Sequence, residues 1–231
     1  MNFLQLCQRV RLECGISGTG PTTVVSQTGE MGRIVTWTNE AWKDVQTAHR
    51  DWGWMRSTAS FTTVAGTGEY TLGSGSGTVG VTAANFGMWV PESSRNYLTA
   101  TGTSDEVFMY DISYEAWRNN YQYGALRTAT SRPIQVAVSP AKALCLGPIP
   151  VVGYTVTRDY FSAPVDLSLD ADTPTAPAQF HMIIVYGAMM SYGAYEGAPE
   201  VYQRGETGFT KLMRRMTTDR IPPPTWGGAL A

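Results

Sequence analysis

The chain has 231 residues, 43% hydrophobic and 16% charged, with a formal net charge of −2. That length fits one large domain or two small ones, with enough apolar material for a core. The absence of a long basic run argues against a duplex-DNA grip, which needs cations against phosphates, and against a basic membrane-surface helix.

The charged fraction is well below the roughly 25% of an ordinary soluble domain. Two readings account for this equally: a surface covered by other protein, or a Thr/Ser/Gly-rich β-domain whose polar surface is uncharged. The three cysteines, Cys7, Cys14 and Cys145, are odd in number and lack metal-type spacing, so no disulfide framework or zinc site is expected. Arg9, Arg11 and Glu13 interrupt the first residues, leaving no signal-peptide core there. A reducing, cytosol-like compartment is expected.

Residues 2–14 predict a short helix with Phe3, Leu6, Val10 and Cys14 on one side, ended by GISGTGP. A longer helix is predicted from Gly29 to Trp52. Its stripe runs Met31, Ile34, Val35, Thr38, Ala41, Trp42, Val45, Ala48, Trp52 at three- and four-residue steps. Thr28 is the expected N-cap, with Glu30 in the first turn. The opposite face carries Arg33, Glu40, Lys43, Asp44 and Asp51, and also Trp37. A tryptophan on a charged face has two explanations: cover by the β-region, or an anchor for a neighbouring subunit.

From Met55 the pattern becomes β-like. STASFTTV and GEYTL, separated by Gly66–Gly68, predict a hairpin. GSGSG at 73–77 is a loop tip. Short strands are predicted around Val79–Val81 and Val107–Tyr110, and a helical turn over Ser113–Tyr121. Alternation at Ile134, Val136 and Val138, then KALCL, then Tyr154, Val156 and Tyr160, predicts two or three antiparallel strands. DLSLDADTPTAP (166–177) is a loop.

The segment Phe180–Tyr195, FHMIIVYGAMMSYGAY, is apolar on nearly every face. It is shorter than the roughly 20 residues a bilayer requires. It therefore predicts a helix wrapped by others, at the centre of the fold. Pro177 suits its first turn and Gly197-Ala-Pro stops it. The last predicted helix, Glu200–Arg220, has Tyr202, Gly205, Phe209, Leu212, Met213 and Met216 on one face. Arg214, Arg215 and Arg220 sit near its end, where cations complement the helix dipole. IPPPTWGGALA then forms an extended, polyproline-like arm.

The expected fold is α+β. N- and C-terminal helices (1–54 with 175–220) form a helical body, a β-rich region (55–174) is inserted, and an arm (221–231) extends from the end.

Catalytic chemistry is sparse. His49 and His181 are the two histidines, and each reads as a structural residue bonded to backbone. Asp166, Asp170 and Asp172 alternate in a way that calcium ligands or paired catalytic carboxylates sometimes do. No Gly and distal Glu complete a calcium loop, and Asp shapes turns and helix caps before helices, which is the preferred role. GSGSG lacks the Lys-Ser/Thr of a phosphate cradle. Trp52, Trp54 and Arg56 could stack on single-stranded bases, but sealing a helix–sheet junction is the favoured reading. No catalytic residue, cofactor or metal is expected.

Three segments carry a resemblance: SQTGEMGRIVTWTNEAWKDVQTAHRDWGWM (26–55), RPIQVAVSPAKALCLGPIPVVGYTVTRDYF (132–161) and DADTPTAPAQFHMIIVYGAMMSYGAYEGAPE (170–200). They resemble the head–tail adaptor (connector or head-completion) proteins of tailed bacteriophages, while residues 56–131 add nothing to the likeness. The resemblance implies a structural virion protein at the head–tail junction, assembled in host cytoplasm. It implies a ring, commonly of twelve copies, bound to the portal above and a tail or nozzle protein below. Double-stranded DNA would pass through that ring without specific binding, and no membrane is involved. The interface candidates are Trp37, Arg33, Glu40, Arg214, Arg215, Arg220, Pro222, Pro223, Pro224 and Trp226, with Trp226 as anchor of the arm. The competing readings are a tail-tube or tail-terminator-like protein, a cell-wall enzyme using the Asp loop, and a glycan-binding module using Trp89 and Trp117 as exposed aromatics.

Overall fold

A computed structural model describes residues 1–220, with Ala125 and Arg220 described by backbone alone. The fold is α+β. The chain divides into two compact units, one from Met1–Met55 together with the chain from Pro164 onward, the other Arg56–Ala163. Its helices are α1 (Phe3–Glu13), α2 (Gly29–Thr47), α3 (Tyr114–Trp117), α4 (Met182–Glu196) and α5 (Pro199–Arg220).

The first unit is helical and built around α4. Ile183, Ile184, Val185, Ala188 and Met189 of α4 are all buried. Each of the Ile, Val and Met side chains contributes about 1.5–3 kcal/mol of burial. Helices α1, α2 and α5 surround them, which is why α4 is apolar on nearly every face. Glycine lets two of these helices approach closely. A Cβ on Gly193 would lie 2.7 Å from the Tyr202 backbone nitrogen, and one on Gly205 2.9 Å from the Tyr186 carbonyl oxygen. Between the two helices, Gly197 closes α4 in the left-handed region at φ 65°.

Helix α1 buries Phe3, Leu6, Cys7 and Val10. Its start is fully capped. The Gln5 N–H donates to Asn2 Oδ1 at 2.9 Å and the Asn2 N–H to Gln5 Oε1 at 3.0 Å. The remaining first-turn donors, Phe3 and Leu4, reach the carbonyls of Asp172 and Asp170. The four orphan donors of a helix start thus have sequence-local and loop-supplied partners.

Helix α2 buries Ile34, Thr38, Ala41, Trp42, Val45 and Gln46. It stops at Thr47, five residues before the predicted end at Trp52. Trp52 is nonetheless fully buried, because its indole N–H turns back to the Val45 carbonyl at 2.9 Å. That bond satisfies a last-turn carbonyl that a longer helix would have used. Trp54 stacks between Trp42 and Trp52 with centroids 5.5 and 5.8 Å apart. Thr28 holds the N-cap position, but its side chain makes no capping bond. The segment after Pro164 lies along α2: Gln46 bonds both the N–H and the C=O of Val165, Trp42 Nε1 bonds the same carbonyl, and Asn39 accepts from the Leu167 N–H.

The second unit is β-rich. Its strands are β1 (Arg56–Thr62), β2 (Glu69–Tyr70), β3 (Phe86–Trp89), β4 (Arg95–Leu98), β5 (Val107–Phe108), β6 (Tyr110–Asp111), β7 (Thr130–Ser131), β8 (Gln135–Val138), β9 (Leu144–Gly147), β10 (Ile149–Pro150) and β11 (Tyr154–Ser162). One sheet has the order β1-β11-β4-β5, with β3 also on β11; a second has β2-β9-β8-β6; β10 and β7 pair in parallel. The two larger sheets share one core. Ala59, Phe61 and Val156 enter from the first, and Tyr70, Val136, Leu144 and Leu146 from the second.

The predicted β8–β9 hairpin forms, joined by a turn in which the Ser139 N–H reaches the Ala143 carbonyl at 2.9 Å. The predicted hairpin of STASFTTV with GEYTL does not. β1 pairs along its whole length with β11, Arg56 opposite Phe161 through Thr62 opposite Thr155, and β2 pairs with β9. The Tyr70 hydroxyl donates to the Val64 and Thr67 carbonyls, so the connecting loop folds around that side chain instead of closing a ladder. β11 likewise leaves β8 and β9 and becomes the centre of the other sheet. Local alternation showed that these strands exist, while partner choice was set by distant residues.

Candidate functional site

The titratable groups that looked catalytic in the sequence are structural. Asp170 Oδ1 accepts the Val24 N–H at 2.6 Å and the Thr23 hydroxyl at 3.1 Å. Asp172 Oδ2 accepts the Ser168 and Leu169 N–H groups, each at 2.8 Å. The Leu169 and Ser168 backbone bonds hold its carboxyl below the ordinary carboxylate range. Asp166 pairs with Lys43 at 2.9 Å on the surface. Each acid is engaged in shaping the loop, and none aims at a shared cleft. Among the described residues, no group of three or more His, Cys, Asp or Glu is placed to hold a metal ion.

The histidines follow the same logic. His181 is buried; its ring nitrogens meet the Met1 backbone nitrogen at 2.8 Å and the Ala176 carbonyl at 2.9 Å. Burial pushes its pKa down. His49 stands edge-on to Trp52 and meets the Thr217 hydroxyl at 3.3 Å. Burial pushes the Cys7 thiol up to about 11 and the Cys14 and Cys145 thiols up to about 12. These thiols are protonated at neutral pH and are poor nucleophiles.

The aromatics proposed for glycan stacking are not exposed. Trp89 is buried with its Nε1–H on the Lys142 carbonyl, and Trp117 is buried with its Nε1–H on the Leu146 carbonyl, both at 2.9 Å. That correction removes the platform the glycan reading needed. A cavity of about 340 Å³ does lie beside Trp89, lined also by Phe86, Met88, Asp111, Lys142 and Arg158. Of its two cations, the Arg158 guanidinium, 2% exposed, bonds both Asp111 oxygens at 2.8 and 2.9 Å and the Ser94 hydroxyl at 2.9 Å, and the Lys142 ammonium lies 5.5 Å over the Phe86 ring.

The interface candidates fall into two groups on the helical unit. On α2, Trp37 is half-buried against Tyr192 and Tyr195 of α4, with centroids 6.2 and 5.6 Å away, and the Arg33 guanidinium lies 4.3 Å over the Tyr195 ring. The cover on Trp37 therefore comes from α4 in its own unit, which neither sequence alternative named. Glu40 and Asp44 are exposed on the same side of α2 and make no ion pair among the described residues. On α5, Arg214 and Arg215 are exposed, and Lys211, which sequence reasoning missed, joins them at three- and four-residue spacing. That spacing was the available signal, since residues so placed share a helix face. The Arg220 side chain, Pro222, Pro223, Pro224 and Trp226 lie outside the described residues.

Short edge strands add a third surface. On β5 and β6, which end the two larger sheets, Val107 and Tyr110 are exposed, and Ile134 beside them is exposed too. Among the described residues no helix is long and apolar enough to cross a membrane.

No curated protein matches the chain. A family model does: the SU10 adaptor protein model matches residues 1–228, nearly the whole length. This is a family of phage head–tail adaptor proteins, structural components of the virion that contact other head and tail proteins. With nearly its whole length matched, the chain belongs to the SU10 adaptor protein family.

Proposed function

We propose that the protein is the adaptor ring subunit that links the portal to the tail of a tailed bacteriophage. Several copies, with twelve the expected number, form a closed ring at the head–tail junction. The portal binds above, a tail or nozzle protein below, and double-stranded DNA passes through the middle without being gripped. Assembly takes place in the host cytoplasm. Residues 221–231 dock on the portal or on a neighbouring copy, anchored by Trp226. The family match over residues 1–228 is the single observation that carries this reading.

Physical features support it. A ring subunit needs two different, mutually complementary side surfaces, and α2 and α5 carry charge of opposite sign on exposed faces. A polyproline segment is already extended, so ordering it on a partner costs less entropy than ordering a flexible tail.

The test is co-assembly with the cognate portal, viewed by electron microscopy. The full chain is expected to add a ring-shaped layer to the portal, and a chain lacking residues 221–231 is expected to stay folded and fail to bind. Normal assembly by the truncated chain would refute the role given to the arm. Failure of the full chain to bind any portal of its own phage would refute the adaptor reading.

A further inference from the structure

We infer that the basic stripe of α5 in one copy, Lys211, Arg214 and Arg215, seats on the acidic ridge of α2 in the next copy, Glu40 and Asp44 beside Trp37. This rests on the ring reading and names the surfaces that make the ring.

Arg11, Arg33 and Arg50 of this unit also lack an ion pair among the described residues, and what sets the stripe apart is that its three unpaired cations share one helix face. Arg9, Lys43 and Arg204 each have a carboxylate oxygen at 2.6–3.0 Å. Lys211, Arg214 and Arg215 have none among the described residues, although all three are exposed and neighbours on one helix face. Like charges at that spacing disfavour the helix. They lie near the α5 C-terminus, which favours cations; the one acid beside them, Asp219, accepts from the Gln179 amide, and the patch stays net positive. A counter-charge from outside the chain removes the repulsion.

The ridge is its complement. Glu40 and Asp44 sit one turn apart and make no ion pair among the described residues; Glu30 is a third acid of α2, and the two cations of the helix are engaged elsewhere, Lys43 by Asp166 and Arg33 by the Tyr195 ring. Trp37 contributes a partly covered indole between them. A half-exposed tryptophan flanked by charge is the composition of an interface anchor with a polar rim. Among the described residues no acid of α2 pairs with a cation of α5, so both halves are left for neighbours. Because the halves differ, the contact is heterologous: each copy donates its stripe and receives another's, and the series closes into a ring when the rotation allows.

Two double variants test this, studied in the full-length protein by sedimentation velocity at low and high salt. Wild type is expected to self-associate at low salt and to dissociate at about 1 M salt, where the Debye length falls to about 3 Å. R214E/R215E and E40K/D44K are each expected to lose association. An equimolar mixture is expected to regain it, because in an alternating series reversed stripe meets reversed ridge at one contact and native stripe meets native ridge at the next. Restoration also shows that both variants are folded. Should either variant melt early, R214Q/R215Q and E40Q/D44Q read the same surfaces, with weakened association expected from each. A wild-type chain that stays monomeric at low salt overturns the pairing, as does association that both reversals leave intact, or a mixture no better than its parts. If R214E/R215E instead loses portal binding while self-association is unchanged, the stripe belongs to the portal; the pairing fails and the adaptor reading stands.

Discussion

The two units solve the same problem by different means. The helical unit brings backbones together over glycine and leaves its charges outside: Gly193 meets the Tyr202 nitrogen and Gly205 the Tyr186 carbonyl. The β-unit puts charge inside. Arg158 is 2% exposed on the central strand and is held by Asp111 and Ser94. Arg132 ties the Asn96 side chain and carbonyl to Asp105. Close packing leaves a helix face free to carry contacts outward. Ion pairs of the buried Arg158 and the partly buried Arg132 tie together segments that lie far apart in the chain.

The largest effect expected from this contrast is at Asp111. Replacing it with Ala leaves the buried Arg158 charge uncompensated, which costs about 3–5 kcal/mol. Urea unfolding measures the loss, and hydrogen exchange should place it in β4 and β11 ahead of α4. A loss under about 1 kcal/mol, the range of exposed pairs, would mean that Arg158 reaches water and that the β-unit does not depend on internal charge.

A smaller effect is expected on the helical side. Gly193→Ala forces α4 and α5 apart and should cost about 1–3 kcal/mol, with lost exchange protection concentrated in those two helices. No change in stability or protection would show that the close approach is not needed.

How far the sequence was legible follows the same division. Helices α1 and α5 were readable to within a residue or two, because their faces repeat at 3.6-residue spacing; α4 was readable as an all-round apolar run ended at Gly197, but it begins at Met182, after a separate turn over Ala178–Phe180, and not at Pro177. α2 was read too long, since the periodic stripe continues through Trp52 although the backbone has already turned. In the β-unit the strands were visible and their partners were not. β1 meets β11 about a hundred residues away, and no local pattern encodes that choice. The candidate surface was partly legible. Glu40, Arg214 and Arg215 stood out as charge on helix faces, whereas Lys211 gained meaning only when the free cations were seen together. Trp37 was recognised as anomalous, but its cover by Tyr192 and Tyr195 required the helix arrangement.

The smallest expected effect is a pH dependence at the start of α4. Burial lowers the His181 pKa below its ordinary value of 6.5. The unfolded chain then takes up the proton first as pH falls. The stability from the neutral ring is complete above about 6.5 and declines below it. Melting temperatures at about pH 7.5 and pH 5 should therefore differ more for wild type than for His181→Gln. Equal differences would place the acid sensitivity on other groups.

Whether the protein joins a portal as a closed ring decides the role proposed for it. Electron microscopy of the full chain with that portal should give class averages with an added closed ring of regularly spaced subunits around an open channel. Averages showing the portal unchanged beside single, unattached copies would contradict it.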